Sequence, residues 1–238
     1  MSGEGDRWAE AAQLTLPLWA RSAHRLEDYL CDPEDHLLDT LRHFVRNSAD
    51  TALFLHGPVG SGKTHLLLGL AASLGFSEAV YLSLAQVRDY PPEPLCDGLQ
   101  ERRLVCLDDL QAVASRPAWE AALFHLFNAC QASGARLVIA SDGGPAHSGL
   151  QLPDLVSRLS WGLVLRLEEL RDEQKKRVLL QRAAERGIAL SAEVLHYLFS
   201  RSQRDMNTLM RLLDTLDRES LTEKRQVTIP FIKKIMQW

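Results

Sequence analysis

Leu53-Phe54-Leu55-His56-Gly57-Pro58-Val59-Gly60-Ser61-Gly62-Lys63-Thr64-His65-Leu66-Leu67 decides the fold. It reads as a buried strand, a glycine-rich turn and the start of a helix. Gly57, Gly62, Lys63 and Thr64 satisfy G-x-x-x-x-G-K-[ST], the spacing of a phosphate-cradling P-loop. Side chains are small where backbone N–H groups must turn inward onto an anion, and the new helix aims its positive end at the same place. Nucleotide contacts are expected from Gly57, Pro58, Val59, Gly60, Ser61, Gly62, Lys63, Thr64 and His65. The Lys63 ammonium is placed to reach the outer phosphates and the Thr64 hydroxyl to ligate Mg²⁺. The competing reading is an ordinary glycine-rich strand–helix turn; the apolar strand before and the helical pattern after favour the P-loop.

Downstream, Leu104-Val105-Cys106-Leu107-Asp108-Asp109 is an apolar run ending in two acids. Buried parallel strands give such runs, and ligands of open α/β sheets sit at their C-terminal ends. The same pattern also suits a helix N-cap. Behind an intact P-loop it reads as the metal-holding strand, with Asp108 on Mg²⁺ through water and Asp109 orienting an attacking water. Arg136–Ala140 reads as another buried strand ending at Ser141-Asp142. A polar residue there suits a γ-phosphate sensor, with Asp142 the candidate, and equally a plain turn.

Further strands are expected at Ala52–Leu55, Val80–Leu84 and Leu163–Leu167. Helices are expected at Pro33–Arg46 (N-cap Asp32), Thr64–Leu74 and Trp119–Gln131, with Tyr90–Pro94 a proline-broken loop. Strand and helix alternate, so the fold class is α/β with a parallel sheet. After Leu167 only helical patterns remain: Arg171–Arg186 stopped by Gly187, a second from Ser191, a third over Arg204–Glu219, and Phe231–Met236. The organisation expected is residues 1–22 as a flexible tail, 23–168 as an α/β nucleotide-binding domain, and 169–238 as an α-helical lid.

Composition bounds the partners. The chain has 238 residues, 46% hydrophobic and 24% charged, with a net charge of -4. That argues against broad electrostatic binding to DNA. The four cysteines, Cys31, Cys96, Cys106 and Cys130, lack metal-ligand spacing and read as free thiols in a reducing cytoplasm. No signal peptide and no membrane span are expected. Gln13-Leu14-Thr15-Leu16-Pro17-Leu18 puts apolar side chains beside a polar tail. It suits a short proline-ended strand and an extended docking peptide equally well.

This set of motifs resembles the AAA+ ATPases. Within them, Asp108-Asp109-Leu110-Gln111 and Ser157-Arg158-Leu159-Ser160-Trp161-Gly162 resemble the bacterial replication initiator DnaA. DnaA ends in a helix-turn-helix domain, whereas none is expected here. The closer resemblance is to the DnaA-homologous regulators of the Hda family, over nearly the whole chain. It is strongest in Gln13–Leu18, in Leu152-Pro153-Asp154-Leu155-Val156 with Ser157–Gly162, and in Leu216-Asp217-Arg218-Glu219-Ser220 with Val227-Thr228-Ile229-Pro230-Phe231.

The resemblance implies a negative regulator of replication initiation. It would hold ADP or ATP with Mg²⁺ (Thr64, Asp108), dock on the DNA polymerase sliding clamp, meet DNA only through that clamp, and stimulate ATP hydrolysis by ATP-bound DnaA. Gln13, Leu14, Leu16, Pro17 and Leu18 would be the clamp-binding motif, and Arg158 an arginine finger acting in trans. Leu26 and Tyr29 would lie near the base. The family's lid arginine is replaced by Asn207, leaving Arg204 or Arg211 as candidates for nucleotide contact. Family members with eroded P-loops are common, whereas Lys63, Thr64, Asp108 and Asp109 are intact. Intrinsic ATPase is expected to be weak. The alternative is an autonomous AAA+ ATPase such as a helicase-loading factor; a small-molecule kinase lacks any acceptor constellation.

Overall fold

A computed structural model of the chain describes residues 25–30, 35–47, 49–75, 77–223 and 225–238. These form two compact units, one running through Glu168 and one from Glu169 to Trp238 that also takes in the loop tip Val59–Ser61. The candidate motif Gln13–Leu18, Cys31 and the cap Asp32-Pro33 lie outside the described residues.

Among the described residues the first unit is built on five parallel strands: β1 (Ala52–His56), β2 (Ala79–Ser83), β3 (Leu104–Asp108), β4 (Arg136–Ser141) and β5 (Leu163–Arg166). Their spatial order is β2-β3-β4-β1-β5, every pairing being parallel. Burial follows the two-residue period of a pleated strand. Leu53, Leu55, Cys106, Val138 and Ala140 face α1 (Leu37–Asn47) and α2 (Lys63–Leu74). Phe54, Val105, Leu107, Leu137 and Ile139 share the opposite face with α5 (Pro117–Ser133) and α6 (Pro153–Trp161). Strands covered on both sides explain the continuous apolar runs in the sequence. Phe54, 1% exposed, is worth about 3–5 kcal/mol of stability against alanine.

Several boundaries differ from the sequence expectation. Tyr90–Pro94 is not all loop. After the one-turn α3 (Leu84–Val87), Pro92–Cys96 forms a short helix, α4, with proline in its first turn. The missing N–H of a proline costs nothing there. The second strand ends at Ser83, and Leu84 already belongs to α3. The first helix begins at Leu37, where the Asp35 carboxylate accepts the Leu37 N–H at 3.0 Å, four residues later than the Pro33 start expected.

Among the described residues the second unit has four helices: α7 (Asp172–Glu185), α8 (Ala192–Arg201), α9 (Met206–Glu223) and α10 (Ile229–Met236). Leu179, Ala183, Leu198, Phe199, Leu209, Leu213 and Phe231 form its core. Ser191 and Thr228 cap α8 and α10 by accepting the N–H groups of Val194 and Phe231. The third helix starts at Met206 rather than Arg204, because the Asp205 side chain caps it through the Thr208 N–H. Among the described residues no helix is long and apolar enough to cross a membrane. Cys96, Cys106 and Cys130 are buried free thiols. Burial pushes Cys96 up to about 12 and Cys130 up to about 11, so they stay protonated.

Candidate functional site

The turn after β1 is shaped by what glycine permits. A Cβ on Gly57 would lie 2.5 Å from the Leu167 carbonyl oxygen, and one on Gly62 would lie 2.6 Å from the Tyr29 ring. Gly62 also sits at φ +93, in the region that favours glycine. Lys63, 7% exposed, opens α2 and turns its ammonium back over the loop. Its Nζ donates to the carbonyls of Gly57 (2.6 Å) and Pro58 (2.9 Å) and pairs with Asp142 Oδ1 at 3.0 Å. The P-loop lysine and the sensor candidate are therefore in direct contact.

Thr64 and the end of β3 meet next to it. Thr64 Oγ1 donates to Asp108 Oδ2 at 2.6 Å. Tyr81 of β2 donates its hydroxyl to the same oxygen at 2.9 Å, and the Asp109 N–H donates to Oδ1 at 3.0 Å. Burial pushes the Asp108 carboxyl above the usual carboxylate range, and the neighbouring Asp109 charge adds to this. The Thr64 and Tyr81 hydrogen bonds pull the other way. The hydroxyl–carboxylate pair is a hard-oxygen donor set of the kind Mg²⁺ takes alongside phosphate and water. It fits such an ion.

Asp109 follows the strand in left-handed conformation, φ 60, which aspartate tolerates better than most residues. Ser83 Oγ donates to Asp109 Oδ2 at 3.1 Å and Gln111 Nε2 to Oδ1 at 3.4 Å. Gln111 Oε1 accepts from Ser141 Oγ and from the Asp142 N–H, both at 3.3 Å. Gln111 thus joins the ends of β3 and β4. Tyr81 and Ser83 carried no signal in the linear sequence. The β2–β3 register, which sets Ser83 opposite Asp108, brings them in. Tyr29 stacks on His65 with centroids 6.3 Å apart, and Leu26 is buried against α2.

Arg158 lies on α6, away from these contacts. Its Nη1 donates to Gln131 Oε1 at 3.0 Å, and its guanidinium carbon sits 5.8 Å from the ring centroids of both Phe124 and Phe127. All three partners are on α5. Trp161, one turn further along, is 78% exposed. In the helical unit, Arg204 donates to Asp172 Oδ2 at 2.9 Å and to the Phe199 carbonyl at 3.3 Å. Arg211 donates to Thr208, and Asn207 is exposed.

Comparison with known proteins places this geometry in a family. The family model of the bacterial DnaA ATPase domain matches residues 42–166, and that of the Hda lid domain matches residues 172–236. The chain is an Hda-like member of the DnaA-homologous AAA+ family. An uncharacterized protein of Haemophilus influenzae is 42% identical to it over 230 residues, which is 94% of this chain and 98% of the relative. Domain III of the Thermotoga maritima initiation protein DnaA superposes with TM-score 0.74 at 24% identity, covering 91% of this chain and 96% of that one. AMPPCP-bound DnaA from Aquifex aeolicus gives TM-score 0.66 at 22% identity, over 85% and 70% of the two chains. The AAA+ fold class, a parallel sheet flanked by helices followed by a helical lid region, is thereby established.

Proposed function

We propose that this Hda-like protein regulates replication initiation by stimulating ATP hydrolysis in DnaA. It would dock on the DNA polymerase sliding clamp through Gln13, Leu14, Leu16, Pro17 and Leu18, touch DNA only through that clamp, and work in the cytoplasm. Its own P-loop, residues Gly57–His65, would hold ADP or ATP with Mg²⁺ on Thr64 and Asp108. Arg204 is the lid residue assigned to nucleotide contact, with Arg211 in reserve.

The observation that supports this reading is an arginine carried on a surface helix and held there by neutral partners. Arg158 rests on two aromatic rings and a neutral glutamine, with no carboxylate paired to it among the described residues. Contacts of this strength are surrendered readily to a partner's γ-phosphate. A guanidinium beside a transferring phosphoryl group neutralises its developing charge and accelerates hydrolysis by about 10³–10⁵. When bound here, Mg²⁺ would polarise phosphate oxygens; Lys63 would bind the phosphates and Asp108 would orient the metal's waters.

The experiment is hydrolysis of DnaA-bound ATP with and without this protein and DNA-loaded clamp. Stimulation that requires both components supports the reading, and none refutes it. Clamp docking is tested by Gln13→Ala with Leu16→Ala; clamp affinity equal to wild type would remove that part. A second reading, an autonomous ATPase such as a helicase-loading factor, is favoured by the assembled Lys63, Thr64, Asp108 and Asp109. It requires substantial turnover by the purified chain, lost in Lys63→Ala.

A further inference from the structure

Helix α5 carries Glu120, Phe124, Phe127 and Gln131 at intervals of four, three and four residues, along one side of the helix. The last three receive the Arg158 guanidinium. The first does something different. Glu120 is 3% exposed, and no ion pair reaches it among the described residues. Its Oε1 accepts the N–H of Ser115 at 2.7 Å and of Gln151 at 3.1 Å; its Oε2 accepts those of Gln151 at 2.9 Å and Leu152 at 2.6 Å. A buried carboxylate is tolerated when hydrogen bonds satisfy its charge, and here backbone amides do so alone.

These bonds join two loops. Ser115 follows the 3-10 turn Leu110–Ala112 that comes directly after Asp109, and it is held at φ 61. Gln151 and Leu152 lead into α6, Leu152 being its N-cap. A second tie runs the same way, from Ser115 Oγ to the Gly149 carbonyl at 3.1 Å. One side of α5 therefore grips α6 at both ends, by the Glu120 carboxylate at its start and by the aromatic seat under Arg158.

We propose that Glu120 is a positioning residue. Its buried carboxylate fixes the entry into α6 and so sets where Arg158 presents its guanidinium. This rests on the reading of Arg158 given above. The leverage is geometric. Arg158 lies about 9 Å along the helix axis from Leu152, so a tilt of about 6° at the entry moves the guanidinium base by about 1 Å. A misplacement of that size costs about 10²-fold in rate. Glutamine in place of Glu120 keeps one acceptor oxygen and turns an NH₂ group towards amides that need an acceptor.

The test uses Glu120→Gln and the shorter, still charged Glu120→Asp in the full chain. The readouts are the maximum rate of DnaA-bound ATP hydrolysis at saturating protein with DNA-loaded clamp, the half-saturating protein concentration, and amide exchange at Ser115, Gln151 and Leu152. Glu120→Gln is expected to speed exchange at those amides and to lower the maximum rate by about 10–100-fold, leaving the half-saturating concentration unchanged. Combined with Arg158→Ala it is expected to lower the residual rate no further. A folded variant with the wild-type maximum rate overturns the proposal. So does a loss confined to the half-saturating concentration, or an equal loss in the Arg158→Ala background. If Glu120→Gln does not fold, Glu120→Asp decides by the same criteria. Absence of stimulation by the wild type would refute the Arg158 reading itself. The clasp is then judged by exchange alone, where unchanged protection in the variant overturns it.

Discussion

The cluster of Lys63, Thr64 and Asp108 and the Arg158 helix belong to the same compact unit and are built on opposite plans. Around the P-loop, charged and polar groups are buried and bonded to each other, with Lys63 7% and Asp108 1% exposed. Around Arg158, a charged group rests half-buried on two aromatic rings and one neutral side chain. The first set of contacts is made by the groups expected to exchange them for phosphate and Mg²⁺, and removing one partner outright leaves a buried charge unpaired. The second releases its cation at little cost, since cation–π contacts near solvent are worth about 0.5–1 kcal/mol each.

Four substitutions test this contrast. The largest effect is expected from Arg158→Ala, which should lower stimulated hydrolysis by DnaA by about 10³-fold or more while clamp binding is unchanged. Quenched-flow measurement with ATP preloaded on DnaA reads it. Retained stimulation would place Arg158 among surface residues of no catalytic account. Lys63→Ala comes next. Loss of a charge-assisted contact worth about 1.5–3 kcal/mol should weaken nucleotide binding about 10–100-fold, measured by equilibrium titration with a fluorescent ADP. With nucleotide in excess the maximum stimulated rate should persist. If that rate falls with affinity, the two regions are not separable.

Tyr81→Phe removes one of the donors on Asp108 and nothing else of similar size. It should cost about 1 kcal/mol of unfolding free energy, read by urea denaturation, and it checks that the buried region is self-supporting. Gln131→Ala should be the mildest, with stability within about 0.5 kcal/mol of wild type and stimulation retained. A loss of stimulation there would show that the resting contact of Arg158 is also its working geometry.

How much of this was legible in the sequence depends on whether the chemistry was local. Gly57, Gly62, Lys63 and Thr64 lie within eight consecutive residues, so their spacing alone announces the loop. The apolar run ending at Asp108 was legible because strands buried on both faces leave unbroken hydrophobic strings. Tyr81 and Ser83 were not legible as site residues. They reach Asp108 and Asp109 only through strand order and register, which depend on long-range pairing. Gln111 is local to Asp109, but its link to Ser141 and Asp142 likewise needs β3 beside β4. Glu120 was hidden for a related reason, since its partners Gln151 and Leu152 are distant in sequence and offer only backbone. The stretch Tyr90–Pro94, expected as loop, shows the limit of proline as a breaker. At the first turn of a helix it starts structure instead of stopping it.

What matters most is where the hydrolysed nucleotide resides. The most direct measurement preloads DnaA with γ-labelled ATP, loads this protein with ADP, adds DNA-loaded clamp, and follows labelled phosphate in a single turnover. Rapid release with the wild type and none above background with Arg158→Ala is the predicted result. Equal release by Arg158→Ala, or release only when this protein itself carries ATP, would contradict it.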